Sequence, residues 1–154
     1  MSVRMLRYRD DPALRTAAKE IKEITPTIIK LLDDMLETIQ FSSNGIALAA
    51  PQVGIPKRVV VIETDDKVYE LINPRIVARE GSIVEVEGCL SFPDVWGEVE
   101  RAEKVTVEAL DRHGQTIRVE GTGLLARAFQ HEIDHLDGIL FVDKVIRFVT
   151  DDDE

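Results

Sequence analysis

The sequence predicts an α+β domain in which a long helix packs against sheet. Three observations predict it. Helical apolar spacing fills the first third of the chain, strand-like segments run from Arg58 to Glu120, and a further helical stretch spans about Thr122 to Leu136. With 154 residues, 44% hydrophobic and 31% charged, the chain has the size and composition of one globular domain. That domain is expected over residues 1–150, with a disordered acidic tail at 151–154.

Asp11-Pro12 opens a helix expected to run to about Ile21, since proline is tolerated in a first turn. Thr25 and Pro26 supply the cap and first position of a second helix, along which Ile28, Ile29, Leu32, Met35, Leu36 and Ile39 keep helical spacing. Ser42-Ser43-Asn44-Gly45 ends it. Val59-Val60-Val61-Ile62 is a short apolar strand. Val68 to Ile72 and Ile76 to Glu80 are two more, separated by a break at Asn73-Pro74. Ile83 to Val86 leads into Glu87-Gly88-Cys89. Val105, Val107 and Ala109 alternate with Lys104, Thr106 and Glu108, the pattern of a half-buried strand. Asp111-Arg112-His113-Gly114 has turn chemistry and joins it to Gln115–Glu120 as a hairpin, leaving His113 an exposed turn residue. Gly138 stops the last helix, and Ile139-Leu140-Phe141-Val142 reads as a final strand.

The net charge of −10 and the lack of a basic stripe argue against nucleic-acid binding. No apolar run approaches membrane-spanning length, and the N-terminus has no cleavage signal, so a cytoplasmic protein is expected. Cys89 is the only cysteine, which excludes an intramolecular disulfide.

The chemistry is concentrated in His131-Glu132-Ile133-Asp134-His135. Histidines four apart share a helix face and can reach one metal ion, and Glu132 beside them can act as base for an activated water. The bland alternative is a surface helix carrying two of the chain's three histidines by chance. A catalytic site wants a third protein ligand. Protease patterns place it downstream, but Phe141 stands where one of them has histidine, and the only downstream glutamate is Glu154. Asp137 and Asp143 are available without matching a pattern. Cys89 is the stronger candidate, because a thiolate suits a borderline or soft cation and Gly88 lets the backbone approach another group. A third segment, Gly45 to Gly54, is rich in small residues and contains Gln52, whose amide can steady an oxyanion. Alone, that segment reads equally as tight packing.

Together, Gly45 to Gln52, Glu87 to Ser91 and Gln130 to His135 resemble the three motifs of the peptide deformylases, in the same order and spacing. The opening, Leu6 to Arg15, is also similar to that family's start. The resemblance implies mostly antiparallel sheets packed around a central helix bearing the two histidines, with helices at the N-terminus. It implies a metal-dependent hydrolase that removes the N-formyl group from the formylmethionine of new polypeptides and releases formate. Cys89, His131 and His135 would hold one divalent ion, ferrous iron by family habit, with zinc, nickel or cobalt as substitutes. Glu132 would move protons, and Gln52 with the Leu90 backbone N–H would stabilise the oxyanion. Ile46, Ala47, Leu124 and Ala128 would line the substrate pocket, although core packing accounts equally for Leu124 and Ala128. Glu87 would orient a histidine with Arg101 as its partner; a surface ion pair fits the same two residues. Trp96 either borders the peptide cleft or is an ordinary half-buried aromatic.

Two departures stand out. Ala47 replaces a glycine usual in the family loop, adding a methyl beside the substrate backbone. The chain ends soon after the last motif, without the longer C-terminal helix of some members, which argues against ribosome docking through such a helix. A cytoplasmic monomer acting on nascent peptides near the ribosomal exit site is expected. The rival enzyme, a zinc endopeptidase, would use the same helix with a different third ligand and no need of Cys89. A purely structural metal site would need a fourth Cys or His, and none is apparent.

Overall fold

The computed structural model describes residues 2–42 and 45–150. The expected acidic tail, and the Ser43-Asn44 part of the turn after the second predicted helix, lie outside the described residues.

Four layers stack in order: helix α1 (Pro26–Phe41), a five-stranded sheet, helix α2 (Gly123–Leu136), and a three-stranded sheet. The larger sheet has the order β1 (Ala47–Ala49), β2 (Val59–Glu63), β3 (Val68–Glu80), β6 (Lys104–Leu110), β7 (Thr116–Thr122). The smaller has the order β4 (Ile83–Cys89), β5 (Phe92–Arg101), β8 (Val145–Phe148), and every pair in both sheets is antiparallel. The expected α+β class, with sheets around the histidine-bearing helix, holds.

The layering explains the apolar run in β2. Val59 and Val61 pack with Ile28, Leu31, Leu32, Met35 and Ile39 of α1, while Val60 and Ile62 pack with Phe129, Ile133 and Leu136 of α2. A strand covered on both faces has no reason to alternate with polar residues. Helix α1 begins as its sequence dictates, with the Thr25 hydroxyl accepting from Ile28 N–H at 3.4 Å and Pro26 in the first turn. The β6–β7 hairpin turns at Asp111, whose Oδ1 accepts from the N–H groups of His113 (2.9 Å) and Gln115 (3.0 Å).

Helix α2 is the centre of the molecule. Ala126, Phe129, Ile133 and Leu136 face the larger sheet. Arg127, His131, Glu132 and His135 are equally buried, and Arg127 and His131 bond directly to the smaller sheet. Gln130 fixes the helix laterally. Its amide nitrogen donates to Ala102 O and its oxygen accepts from Ala102 N–H, both at 3.0 Å.

Several predicted elements differ. Between Asp11 and Ile21 only a short 3-10 turn forms, Pro12–Arg15. Beyond it, Ala18 N–H donates to Leu136 O and Lys19 N–H to Pro56 O, so bonds to distant segments replace the helical ones. The predicted break at Asn73-Pro74 is a bulge inside one continuous strand. Asn73 takes φ 52°, and its side chain bonds both Ile21 N–H and Ile21 O at 2.8 Å. Phe141–Asp143 forms a 3-10 turn in place of the predicted final strand, which comes later, at Val145–Phe148.

Candidate metal centre and active site

Cys89 ends β4, and His131 and His135 project from α2 toward it. Their ligand atoms all lie within 4.8 Å of one another, the one such group of three His, Cys, Asp or Glu among the described residues. Cys89 Sγ is 3.4 Å from His135 Nε2. His131 turns its Nδ1 to Glu87 Oε1 at 2.9 Å, which leaves Nε2 for the cluster. The downstream rivals are engaged elsewhere: Asp137 pairs with Arg58 at 2.9 Å, and Asp143 pairs with Arg15 through bonds of 2.6 and 3.0 Å. His113 is exposed in its turn, as expected.

The surroundings are charged but balanced. Glu87 sits among three cationic or donor partners. Its Oε1 accepts from His131 Nδ1 and from Arg101 Nη2 at 3.0 Å; its Oε2 accepts from Arg101 Nε at 2.8 Å and from Arg127 Nη1. Burial alone would raise the Glu87 carboxyl, but the bonds from His131 and Arg101 outweigh it and hold it well below the usual carboxylate range. Arg101 reaches on to Asp134 at 2.6 Å. The expected Glu87–Arg101 pair therefore exists and is buried, 4% and 3% exposed at the side chains, which removes the surface reading.

Two buried polar atoms in the site have no partner, Glu132 Oε1 and His135 Nδ1. Burial pushes the Glu132 carboxyl up to about 7, with His131 opposing. Burial alone would lower the His131 ring, but Glu132, Cys89 and Glu87 hold it well above the ordinary histidine value. Burial, with the charges of His131 and Arg101, pushes His135 well below that value. A half-buried cysteine sulfur, two buried imidazole nitrogens and an unpartnered buried carboxylate oxygen fit a divalent cation and a water.

Gln52 enters from the short 3-10 turn Ala50–Val53. Its Oε1 accepts from Ala49 N–H at 2.9 Å, which points its amide N–H groups to Ser91 Oγ (3.2 Å) and Cys89 Sγ (3.5 Å). A cleft of about 400 Å³ opens over the cluster. Ile46, Ala47, Leu90, Leu124 and Ala128 all line it, together with Trp96. Leu124, 68% exposed, is a rim residue. Ala47 and Ala128 are both core residues and cleft wall, so packing and pocket readings hold together. The Trp96 ring packs against Gly88, where a Cβ would meet it at 2.4 Å. That ring is the group whose approach Gly88 permits.

The model of the polypeptide deformylase family matches residues 3–150. The chain belongs to the polypeptide deformylase family. It is similar to the peptide deformylase of Caldicellulosiruptor bescii, 56% identical over 99% of this chain and 92% of that one. The solved deformylase of Thermotoga maritima is 36% identical with a TM-score of 0.90, over 94% of this chain and 99% of that one. The Synechococcus elongatus deformylase, solved in complex with actinonin, is 45% identical with a TM-score of 0.88, over 92% and 78%. The deformylase fold thus carries a metal-dependent hydrolase acting on formylmethionyl peptides, as the motifs implied, and the endopeptidase alternative is not favoured.

Arg127 and Ser91 escaped the sequence reading. Ser91 is fully buried and accepts from Gln52. Arg127 stands four residues before His131 on the same helix face, the one signal that could have found it.

Proposed function

We propose that Cys89, His131 and His135 hold one divalent ion, and that Glu132, Gln52 and the Leu90 backbone N–H carry the deformylation reaction around it. The reading rests chiefly on one observation: three ligand atoms from two different layers converge within 4.8 Å beside the unpartnered oxygen of Glu132. A divalent ion bound there supplies positive charge that acidifies a water and polarises the formyl oxygen. Glu132 accepts the water's proton as it attacks the formyl carbon and delivers a proton to the departing amine. Gln52, its amide held by Ala49, and the Leu90 N–H donate to the developing oxyanion. Glu87 keeps the His131 ring oriented, and Arg101 keeps Glu87 ionised. Ile46, Ala47, Leu124 and Ala128 shape the methionine end of the cleft.

Ferrous iron is the ion we assign, with zinc, nickel or cobalt able to replace it in a thiolate–imidazole set. Residues 1–150 would act as one catalytic domain, a cytoplasmic monomer meeting nascent peptides near the ribosomal exit site. The test is formate release from a formylmethionyl peptide, with metal analysis of protein purified without oxygen, for the parent and for Cys89→Ser. Loss of both metal and turnover in the variant is expected. Retention of both would remove Cys89 from the site.

A further inference from the structure

Arg127 ties the histidine-bearing helix to the smaller sheet. Its Nη1 donates to Glu87 Oε2 on β4 and to Val99 O on β5 at 3.0 Å, and its Nη2 donates to Ile83 O at 3.0 Å. Glu87 in turn has both oxygens doubly engaged, and only one of those four bonds, that from His131 Nδ1, belongs to the metal centre.

We propose that Arg127 is a positioning residue for the metal centre: it holds the Glu87 carboxylate in the one orientation that accepts from His131 Nδ1, and so keeps His131 Nε2 aimed at Cys89 and His135. This rests on the metal site proposed above. Arg101 grips both Glu87 oxygens in a fork and reaches Asp134 on α2 at 2.6 Å with its third arm, and Arg127 adds the bond that ties this fork to the carbonyls of β4 and β5. Without Arg127, Oε2 would keep one partner, Arg101 Nε, and the Glu87–Arg101 fork would lose its tie to the Ile83 and Val99 carbonyls. Arg127 closes the other side, and the Ile83 and Val99 carbonyls fix the guanidinium plane. The competing account is a plain staple, in which Arg127 joins helix to sheet through the two carbonyls and its bond to Glu87 is incidental. Lysine separates the two. It keeps a positive charge in the same place but cannot hold a carboxylate and two carbonyls in one planar fork. Outer partners of a ligating histidine are worth about 10–100-fold in metal affinity.

The experiment compares parent, Arg127→Lys and Arg127→Met. Zinc affinity is read by competition with a chromophoric chelator, and melting temperature in the zinc-free state. Solvent exchange of the His131 Nδ1 proton is followed by nitrogen-15 NMR of the zinc-loaded proteins, and kcat and KM are measured on a short formylmethionyl peptide. Three histidines in the chain keep the imidazole spectrum assignable. The expected result is a fall in zinc affinity of about 10-fold or more in both variants. The Nδ1 proton should exchange faster, and kcat should drop with KM little changed. If Arg127→Lys lowers only the melting temperature, with zinc affinity and Nδ1 protection equal to the parent, Arg127 is a staple and the proposal fails. If Arg127→Met does not fold, Arg127→Lys alone decides. A parent chain that binds no zinc would overturn the metal site and this inference together, whereas a zinc-binding parent with an unaffected lysine variant overturns only the role of Arg127.

Discussion

Glu132 is a buried carboxyl with one oxygen bonded to nothing, an arrangement that packing alone would select against. Replacing it with glutamine keeps its shape and should keep the metal, while turnover falls by about 10²–10⁴, the range for a lost general base. Metal content and kcat of E132Q check this together, and an active E132Q would remove Glu132 as the base. The pH dependence follows from the same group. A base must be ionised, and burial has raised this carboxyl to about 7, so activity should fall as pH drops through that value. A cation beside it favours the ionised form, so the acid limb of kcat/KM should lie at or below about pH 7. The stability effect has the opposite direction. In metal-free protein the folded form holds a proton that the unfolded form has already lost between the ordinary glutamate value, 4.5, and about 7, so stability should decline as pH rises across that window. The decline should be smaller in E132Q, which urea titrations at several pH values would detect. Gly88 gives a second test at this scale. A methyl there would sit 2.4 Å from the half-exposed Trp96 ring, which must swing away. Trp96 is the only tryptophan, so Gly88→Ala should shift the intrinsic fluorescence and cost about 1–3 kcal/mol, typical of overpacking.

Elements are legible where a regular apolar pattern or a cap survives in the sequence. Helix α1, with one buried stripe and a threonine cap, and the β6–β7 hairpin, with alternating faces, fall where the sequence puts them. Strand β5 is not legible in the sequence because its inward positions are Gly97, Val99 and Arg101, one of which has no side chain and another a charge. No apolar alternation survives in such a strand, although its arginine is buried by Glu87 and Asp134. Within the site, Cys89, Glu132 and Gln52 carry motif spacing, whereas Arg127 is read only once Glu87 is known to lie opposite it. The segment before α1 has the local sequence of a helix, but the bonds that compete with helix come from Leu136, Pro56 and Arg58, far away in sequence. Asn73 shows the same dependence and can be tested. It bends β3 in a left-handed conformation while its side chain bonds both backbone groups of Ile21. Asn73→Ala loses two hydrogen bonds and puts a Cβ residue without local bonding at positive φ, a combined cost of about 2–4 kcal/mol. Denaturant titration should show that loss with little change in kcat, since Asn73 does not line the cleft.

The layers are held together by two kinds of force, and that difference has a consequence for the whole molecule. The five-stranded sheet is gripped on both faces by apolar side chains, from α1 on one side and α2 on the other. The smaller sheet meets α2 largely through polar contacts: Glu87, Arg101 and Arg127 around His131, and Arg101 with Asp134. Its other surface leaves Val84 and Val86 exposed. A cation held by Cys89 of β4 and the two histidines of α2 adds a direct link across that polar seam. Metal removal should therefore loosen the molecule unevenly. Binding to the folded state alone stabilises by about 2.7 kcal/mol at a hundredfold excess over Kd, so chelation should lower the melting temperature. Amide exchange, measured by mass spectrometry with zinc and with chelator, should rise in β4, β5 and β8 while β2, β3 and β6 stay protected. An even rise over both sheets would mean that the ion stabilises the fold globally and does not clamp the seam. Protection unchanged everywhere would mean that the arginine–glutamate network holds the smaller sheet without it.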